Sequence, residues 1–95
     1  MQRLEHIQRF EQAFRSTNPA ADLYRLAVSL RDEGVTQIDV YRLFKHFQIA
    51  TSGANPKYDA IVDTMDLIAG GPWAKGADLF SRPLTNEEID ESRKA

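Results

Sequence analysis

The chain contains no cysteine among its 95 residues. Disulfide bonds and metal centres built on thiolate ligands are therefore excluded, and the composition fits a reducing compartment. Long apolar runs are also missing, and the longest fall far short of the roughly 20 residues that a membrane-spanning helix needs. The opening stretch MQRLEHIQRFEQAF is interrupted by charge too often to form the apolar core of a secretory signal. We therefore expect a soluble, cytoplasmic protein.

A large excess of charge of one sign is missing as well, because the formal net charge is −2. The charge is uneven, however: residues 1–50 carry seven Lys/Arg and six Asp/Glu, whereas residues 51–95 carry five and eight. Hydrophobic residues make up 42% of the chain and charged residues 27%, which is the balance of an ordinary globular protein. The length predicts one domain with one core, at residues 1–95.

Catalytic and cofactor-binding motifs are the third absence. His6 and His46 lie on different predicted helices and lack the spacing that places two imidazoles on one metal ion. Gly70-Gly71 precedes Pro72, which has no N–H group to offer a phosphate, and no serine lies in a nucleophile-elbow pattern. We therefore predict a protein that is not an enzyme and has no catalytic residue, no metal site and no cofactor.

The sequence does contain a series of amphipathic helical segments. Apolar residues recur at spacings of three and four, and no segment shows the period of two that is typical of a strand. The predicted helices are 2–15, 19–33, one from Thr36 to about Ala50, and one that starts at Asn55-Pro56 and ends at Gly70. A short exposed helix at 86–93 follows. The fold class is therefore all-α, a compact bundle of four main helices plus a short C-terminal helix.

Several start and stop residues mark these helices. Asn18-Pro19 combines a capping side chain with a proline suited to the first turn, and Thr36 begins the third helix in the same way. Gly34 is predicted to take the left-handed conformation that ends the second helix. Thr85 and Glu88 have the spacing of a capping box. The apolar stripes predict a shared core of Leu26, Leu30, Val40, Phe44, Ile61 and Met65, and they place Leu4, Ile7, Phe10 and Phe14 on one face of the first helix.

Asp59, Asp63 and Asp66 follow one another at spacings of four and three, which places them on one face of the fourth helix. Like charges in this arrangement repel by roughly 0.2–0.5 kcal/mol per pair. Their presence together favours a negative surface for a basic partner, although an ordinary solvated face accounts for the pattern as well. They are not expected to hold a metal ion, because carboxylate sites also draw ligands from turns.

Trp73 is the only tryptophan and follows Gly70-Gly71-Pro72 directly. It suits either of two roles: a plug that closes the end of the bundle together with Leu79 and Phe80, or an exposed anchor at an interface, where tryptophan is enriched. The predicted partner-binding residues are therefore Asp59, Asp63, Asp66 and Trp73.

Residues 26–47 resemble a helix-turn-helix, with Gly34 at the turn and Val40 and Leu43 at core positions of the second helix. Leu30, however, stands where that motif has a small residue. The segment also lacks the basic patch that DNA-binding modules usually carry. Nucleic acid is therefore not the expected partner, and a DNA-binding regulator remains an alternative.

The stretches EGVTQIDVYRLF and YDAIVDTMDLIAGGPW, in a cysteine-free and slightly acidic helical chain, resemble the small bacterial immunity proteins of contact-dependent growth inhibition systems. The resemblance covers residues 33–80. It implies a cytoplasmic protein that binds one toxin domain and blocks its active site or substrate path. A nuclease toxin would present a basic cleft, which the aspartate stripe complements. An adaptor or assembly subunit, with the first helix as an oligomer interface, is a further alternative.

Overall fold

Four α-helices account for most of the chain that the structure, a computed structural model, describes: residues 4–70, 79–80, 84–85 and 87–88. They are α1 (Leu4–Phe14), α2 (Pro19–Asp32), α3 (Gln37–Ala50) and α4 (Tyr58–Ala69). No strand occurs in these described residues, so the predicted all-α class is confirmed. The radius of gyration is 12.3 Å, against about 12 Å expected for a compact chain of this length. The predicted C-terminal helix lies mostly outside the described residues.

The core forms where α4 packs against α3 and α2, while α1 packs against α2. The predicted core is confirmed, because all six of its members belong to one buried cluster. The apolar residues of α1 are not buried alike, since Leu4 is 69% exposed. At 3.6 residues per turn, Leu4 lies about 120° around the helix axis from the fully buried Phe10. The stripe on α1 therefore rotates away from the core before it reaches Leu4.

Contacts between aromatic rings pack α1 against α3. The ring of Phe10 stacks on that of Phe47, with centroids 4.0 Å apart, and meets Phe44 edge-on at 4.9 Å. Such pairs add about 0.5–1.5 kcal/mol to the effect of burial alone. At the end of α1, Nζ of Lys57 donates to the Phe14 carbonyl at 2.8 Å and lies 5.2 Å from the centre of the Phe14 ring. A cation is favourable there, because the C-terminus of a helix carries partial negative charge.

Gly34 ends α2 in the predicted left-handed conformation, with φ of 89°. Its N–H donates to the Arg31 carbonyl, and the Val35 N–H donates to the Leu30 carbonyl, both at 3.0 Å. These two hydrogen bonds are the pair that defines a Schellman motif. The motif satisfies carbonyls at the end of α2 and turns the chain toward α3, whose N-cap Thr36 accepts a hydrogen bond from the Asp39 N–H.

Gly34→Ala is expected to lower the free energy of unfolding by about 1 kcal/mol, because a side chain disfavours the left-handed conformation. A Cβ atom at Gly34 would meet no atom within 4 Å, so the cost arises from the backbone alone. Gly53→Ala is the matched control, since its Cβ would also be in open space and its φ is not in the left-handed region. Urea denaturation of both variants measures the difference. Equal stabilities would contradict the assignment.

The N-cap of α4 lies two residues later in the chain than predicted. Helix α4 begins at Tyr58, after an N-cap, Lys57, whose side chain makes no capping hydrogen bond. The predicted cap, Asn55, instead closes a separate turn: its side chain accepts from the Lys57 N–H, and its carbonyl accepts from the Tyr58 N–H, each at 2.9 Å. Asparagine favours such local turns as readily as helix caps. The sequence pattern alone does not distinguish the two.

The end of α4 is capped by residues distant in sequence. The last carbonyl groups of any α-helix lack partners within the helix. In α4, the Leu79 N–H donates to the Leu67 carbonyl at 3.1 Å, and the Leu84 N–H donates to the Ala69 carbonyl at 2.7 Å. Leu79 and Leu84 are themselves buried against the core. Leu79 and Leu84 therefore satisfy carbonyls at the helix end and also extend the core.

Side chains from α2 and α3 complete this junction. Nε2 of Gln37, a buried residue, donates to the Ile68 carbonyl at 2.9 Å. Nη1 of Arg31 donates to the Leu79 carbonyl at 3.0 Å and so ties α2 to the C-terminal segment. Polar groups in such a position are favourable only when they are paired, because an unpaired buried group costs about 1–3 kcal/mol. The junction thus fixes the position of α4 relative to both neighbours.

The predicted capping box is confirmed. The Thr85 N–H donates to the Glu88 carboxylate, and the Glu88 N–H donates to the Thr85 hydroxyl, both at 3.1 Å. This reciprocal pair satisfies two amide groups at the start of a helical turn.

Among the described helices, none combines the length and the hydropathy needed to cross a bilayer.

Candidate functional site

The face of α4 that points away from the core carries Asp59, Asp63 and Asp66, which we name the acidic face. The first two residues are exposed and the third is half-buried. The core-facing side of the same helix buries Ile61, Thr64, Met65, Ile68 and Ala69. Since α4 is anchored along that side, the three carboxylates are held on a rigid surface.

The acidic face has no partner cation in the part of the chain that the structure describes. The ion pairs found there join other residues: Arg9 to Glu33, Arg25 to Asp22, Arg31 to Asp32 and Arg42 to Asp39. Burial raises the pKa of the Asp66 carboxyl above its ordinary value, and the neighbouring Asp63 carboxylate raises it further. The fold therefore keeps repelling carboxylates together without neutralising them from the described residues.

Asp66→Asn is expected to stabilise the protein near neutral pH, because it removes a charge that the fold disfavours. A carboxyl whose pKa is raised binds its proton more tightly in the folded chain than in the unfolded chain. The advantage of the variant is therefore present above the raised pKa and declines as the pH falls through it toward the unfolded value of about 4. Urea titrations of both proteins at several pH values measure this difference. An advantage that is constant or grows on acidification would contradict the assignment.

Trp73, the other predicted partner-binding residue, lies outside the described residues. Of the two residues predicted to dock beside it, Leu79 is buried and Phe80 is partly buried against the core. The predicted docking of these two side chains is therefore confirmed.

The resemblance to a helix-turn-helix extends to some of the geometry. Gly34 has the left-handed conformation, and Val40 and Leu43 are buried. In that motif, however, residues at the N-terminal end of the second helix contact the base edges. Here Gln37 and Tyr41 occupy this end and are 9% and 8% exposed, respectively. Asp39, whose side chain is 57% exposed, lies at the same end, and its carboxylate would repel DNA phosphates.

A shallow groove lies between α1 and α2 on the described surface. It encloses about 320 Å³ and is lined by Arg9, Gln12, Ala13, Asp22, Arg25, Leu26 and Ser29. Its arginines are engaged with acidic side chains: Arg9 makes two hydrogen bonds to Glu33 at 2.8 and 2.9 Å, and Arg25 meets Asp22 at 3.3 Å. The groove is open and its charges are balanced, so it offers little to orient a small molecule.

The histidines stand apart from these features. His6 is half-buried on α1, and His46 is exposed on α3 with its ring edge-on to Phe47 at 5.2 Å. No cluster of three or more His, Cys, Asp or Glu side chains suited to a metal ion occurs among the described residues.

One exposed surface, on α3, was not predicted from the sequence. Ile49 on α3 is 70% exposed, the most of any large hydrophobic residue in the described chain. It shares a face with Arg42 and His46, at spacings of four and three. The sequence pattern indicates this exposure, because the three positions lie opposite the buried Val40 and Phe44 on the helix.

What the acidic face can do follows from its groups. Carboxylates on a fixed helix accept hydrogen bonds and attract cationic side chains, and they supply neither a nucleophile with a neighbouring base nor a metal cage.

Comparison of the chain with protein-family models, curated proteins and solved structures finds no match.

Proposed function

We propose that this chain is a non-catalytic domain that binds another protein through the acidic face of α4. The observation that carries the proposal is the set of three carboxylates, Asp59, Asp63 and Asp66, without a cation partner among the described residues. A binding partner with a basic surface supplies the missing charges. The binding helix is anchored by its buried side, so little ordering is required on association.

Within this class, the proposed role is that of a cytoplasmic immunity protein that neutralises a bacterial toxin domain by direct binding. A nuclease is the toxin type that fits best, because the cleft of such an enzyme is basic in order to hold a polyanion. An acidic helix laid across that cleft competes with the nucleic acid for the same cationic side chains. Inhibition then requires occupancy of the cleft and no chemistry by this chain.

The test is the triple variant Asp59→Asn, Asp63→Asn, Asp66→Asn, measured for association with a partner recovered by pull-down from the source cell, or with a toxin domain if a neighbouring gene encodes one. Charges at the edge of an interface mainly govern the association rate. We expect association to slow by roughly tenfold at low salt and its salt dependence to flatten. Circular dichroism checks that the fold is retained.

The matched control is Glu5→Gln, Asp32→Asn, Glu87→Gln, which removes three negative charges from exposed residues outside α4. This control should leave the association rate much closer to that of the unchanged protein. If both triple variants bind alike, the acidic face is an ordinary solvated surface and the proposal fails. Binding of the toxin without loss of its activity would reject the immunity role alone.

A further inference from the structure

The outward side of α3 carries a second surface of interest, formed by Arg42, His46 and Ile49, which we name the α3 outer face. Ile49 is the distinctive residue of this face, because it is 70% exposed although it is a large aliphatic residue. His46 beside it is exposed as well. An apolar side chain flanked by basic ones suits a protein surface that combines apolar contact with negative charge.

Arg42 is poorly satisfied within the described chain. Its Nη1 atom lies 4.0 Å from the Asp39 carboxylate, which is beyond hydrogen-bond distance. Its Nε atom is buried without an acceptor. A guanidinium group presents a planar fork of donors that matches a carboxylate. The buried Nε atom is out of reach of a second molecule, but the side chain is 31% exposed, so a second carboxylate could gain hydrogen bonds from the terminal Nη groups that Asp39 does not make.

The same molecule presents the complementary surface. The α3 outer face repeats at positions 42, 46 and 49, and the acidic face repeats at 59, 63 and 66, so both follow one spacing along a helix. We propose that the α3 outer face of one copy docks on the acidic face of a second copy, with Arg42 facing the carboxylates. Val62, which is half-buried on α4 beside the acidic face, provides the apolar contact for Ile49.

This self-association is weak by its nature. Two turns of one helix on two turns of another bury less than the roughly 1,200 Å² of a stable complex. We expect a dissociation constant on the order of 0.1–1 mM at low salt, rising with ionic strength as exposed charges are screened. In the free protein the association covers the acidic face, so a basic partner of higher affinity displaces the second copy.

The experiment is sedimentation equilibrium on the purified full chain at low and high salt. Arg42→Asp and Asp63→Arg should each weaken self-association by about tenfold or more, equivalent to about 1.4 kcal/mol. An equimolar mixture of the two variants should restore association, because each then supplies the charge that the other lacks. Ile49→Glu tests the apolar contact independently and should also weaken association.

The matched control is Arg25→Asp, which makes the same charge change at a 78% exposed side chain on α2 and should leave self-association intact. Circular dichroism of every variant confirms that the fold is kept. The proposal is overturned if the unchanged protein stays monomeric up to about 1 mM, or if the mixture fails to restore association. It is overturned equally if Arg42 proves to bind duplex DNA while the chain remains monomeric. No partner protein is needed, so this outcome is independent of the toxin-binding test.

Discussion

Phe44→Ala is expected to lower the free energy of unfolding by about 3–5 kcal/mol, a large share of the stability of a small domain. The side chain is fully buried, and its ring meets that of Phe10 edge-on at 4.9 Å. Truncation therefore removes apolar burial, leaves a cavity between α1 and α3, and deletes an aromatic contact. Urea denaturation with a two-state analysis gives the value.

Leu4→Ala is the matched control for this change, because Leu4 is 69% exposed. Surface substitutions of this kind stay within about 0.5 kcal/mol of the unchanged protein. A small effect of Phe44→Ala, similar to that of Leu4→Ala, would mean that α3 does not face the core as described. A collapse of the cavity would give an intermediate value near 2 kcal/mol.

The double variant Leu79→Ala, Leu84→Ala is expected to lower the free energy of unfolding by at least about 3 kcal/mol. The two side chains are 5% and 8% exposed, although neither belongs to one of the four helices. Their amide groups also cap the Leu67 and Ala69 carbonyls. Loss of this apolar burial weakens the packing of positions 79 and 84 and exposes the Leu67 and Ala69 carbonyls to water.

Substitution of both residues by Met keeps a similar hydrophobic volume, and such a change usually lowers the free energy of unfolding by less than about 1.5 kcal/mol. The methionine variant therefore separates the loss of burial from a mere change of side chain. Hydrogen exchange provides a second measurement. In the alanine variant, the backbone amides at positions 79 and 84 should lose protection from exchange before other amides do. If the alanine variant is as stable as the methionine variant, the segment after α4 does not contribute to the core.

Helix positions were largely predictable from the sequence because their causes are local. The period of apolar residues, the cap at Thr36 and the left-handed Gly34 each act over a few residues. The acidic face was predictable for the same reason, since spacings of four and three define a helix face without reference to the rest of the fold. Asn55 marks the limit of this reasoning, because the same side chain closes a turn in one context and caps a helix in another.

The sequence by itself therefore determined the helices, their buried sides and the acidic face of α4, all of which depend on neighbours within about one or two turns. Only the tertiary structure decided which distant groups satisfy the helix ends: Lys57 at the end of α1, Gln37 and the segment around Leu79 at the end of α4. It also decided that Leu4 remains exposed. Helix-end carbonyls accept from any donor that packing brings near, and that proximity is set by how the helices assemble.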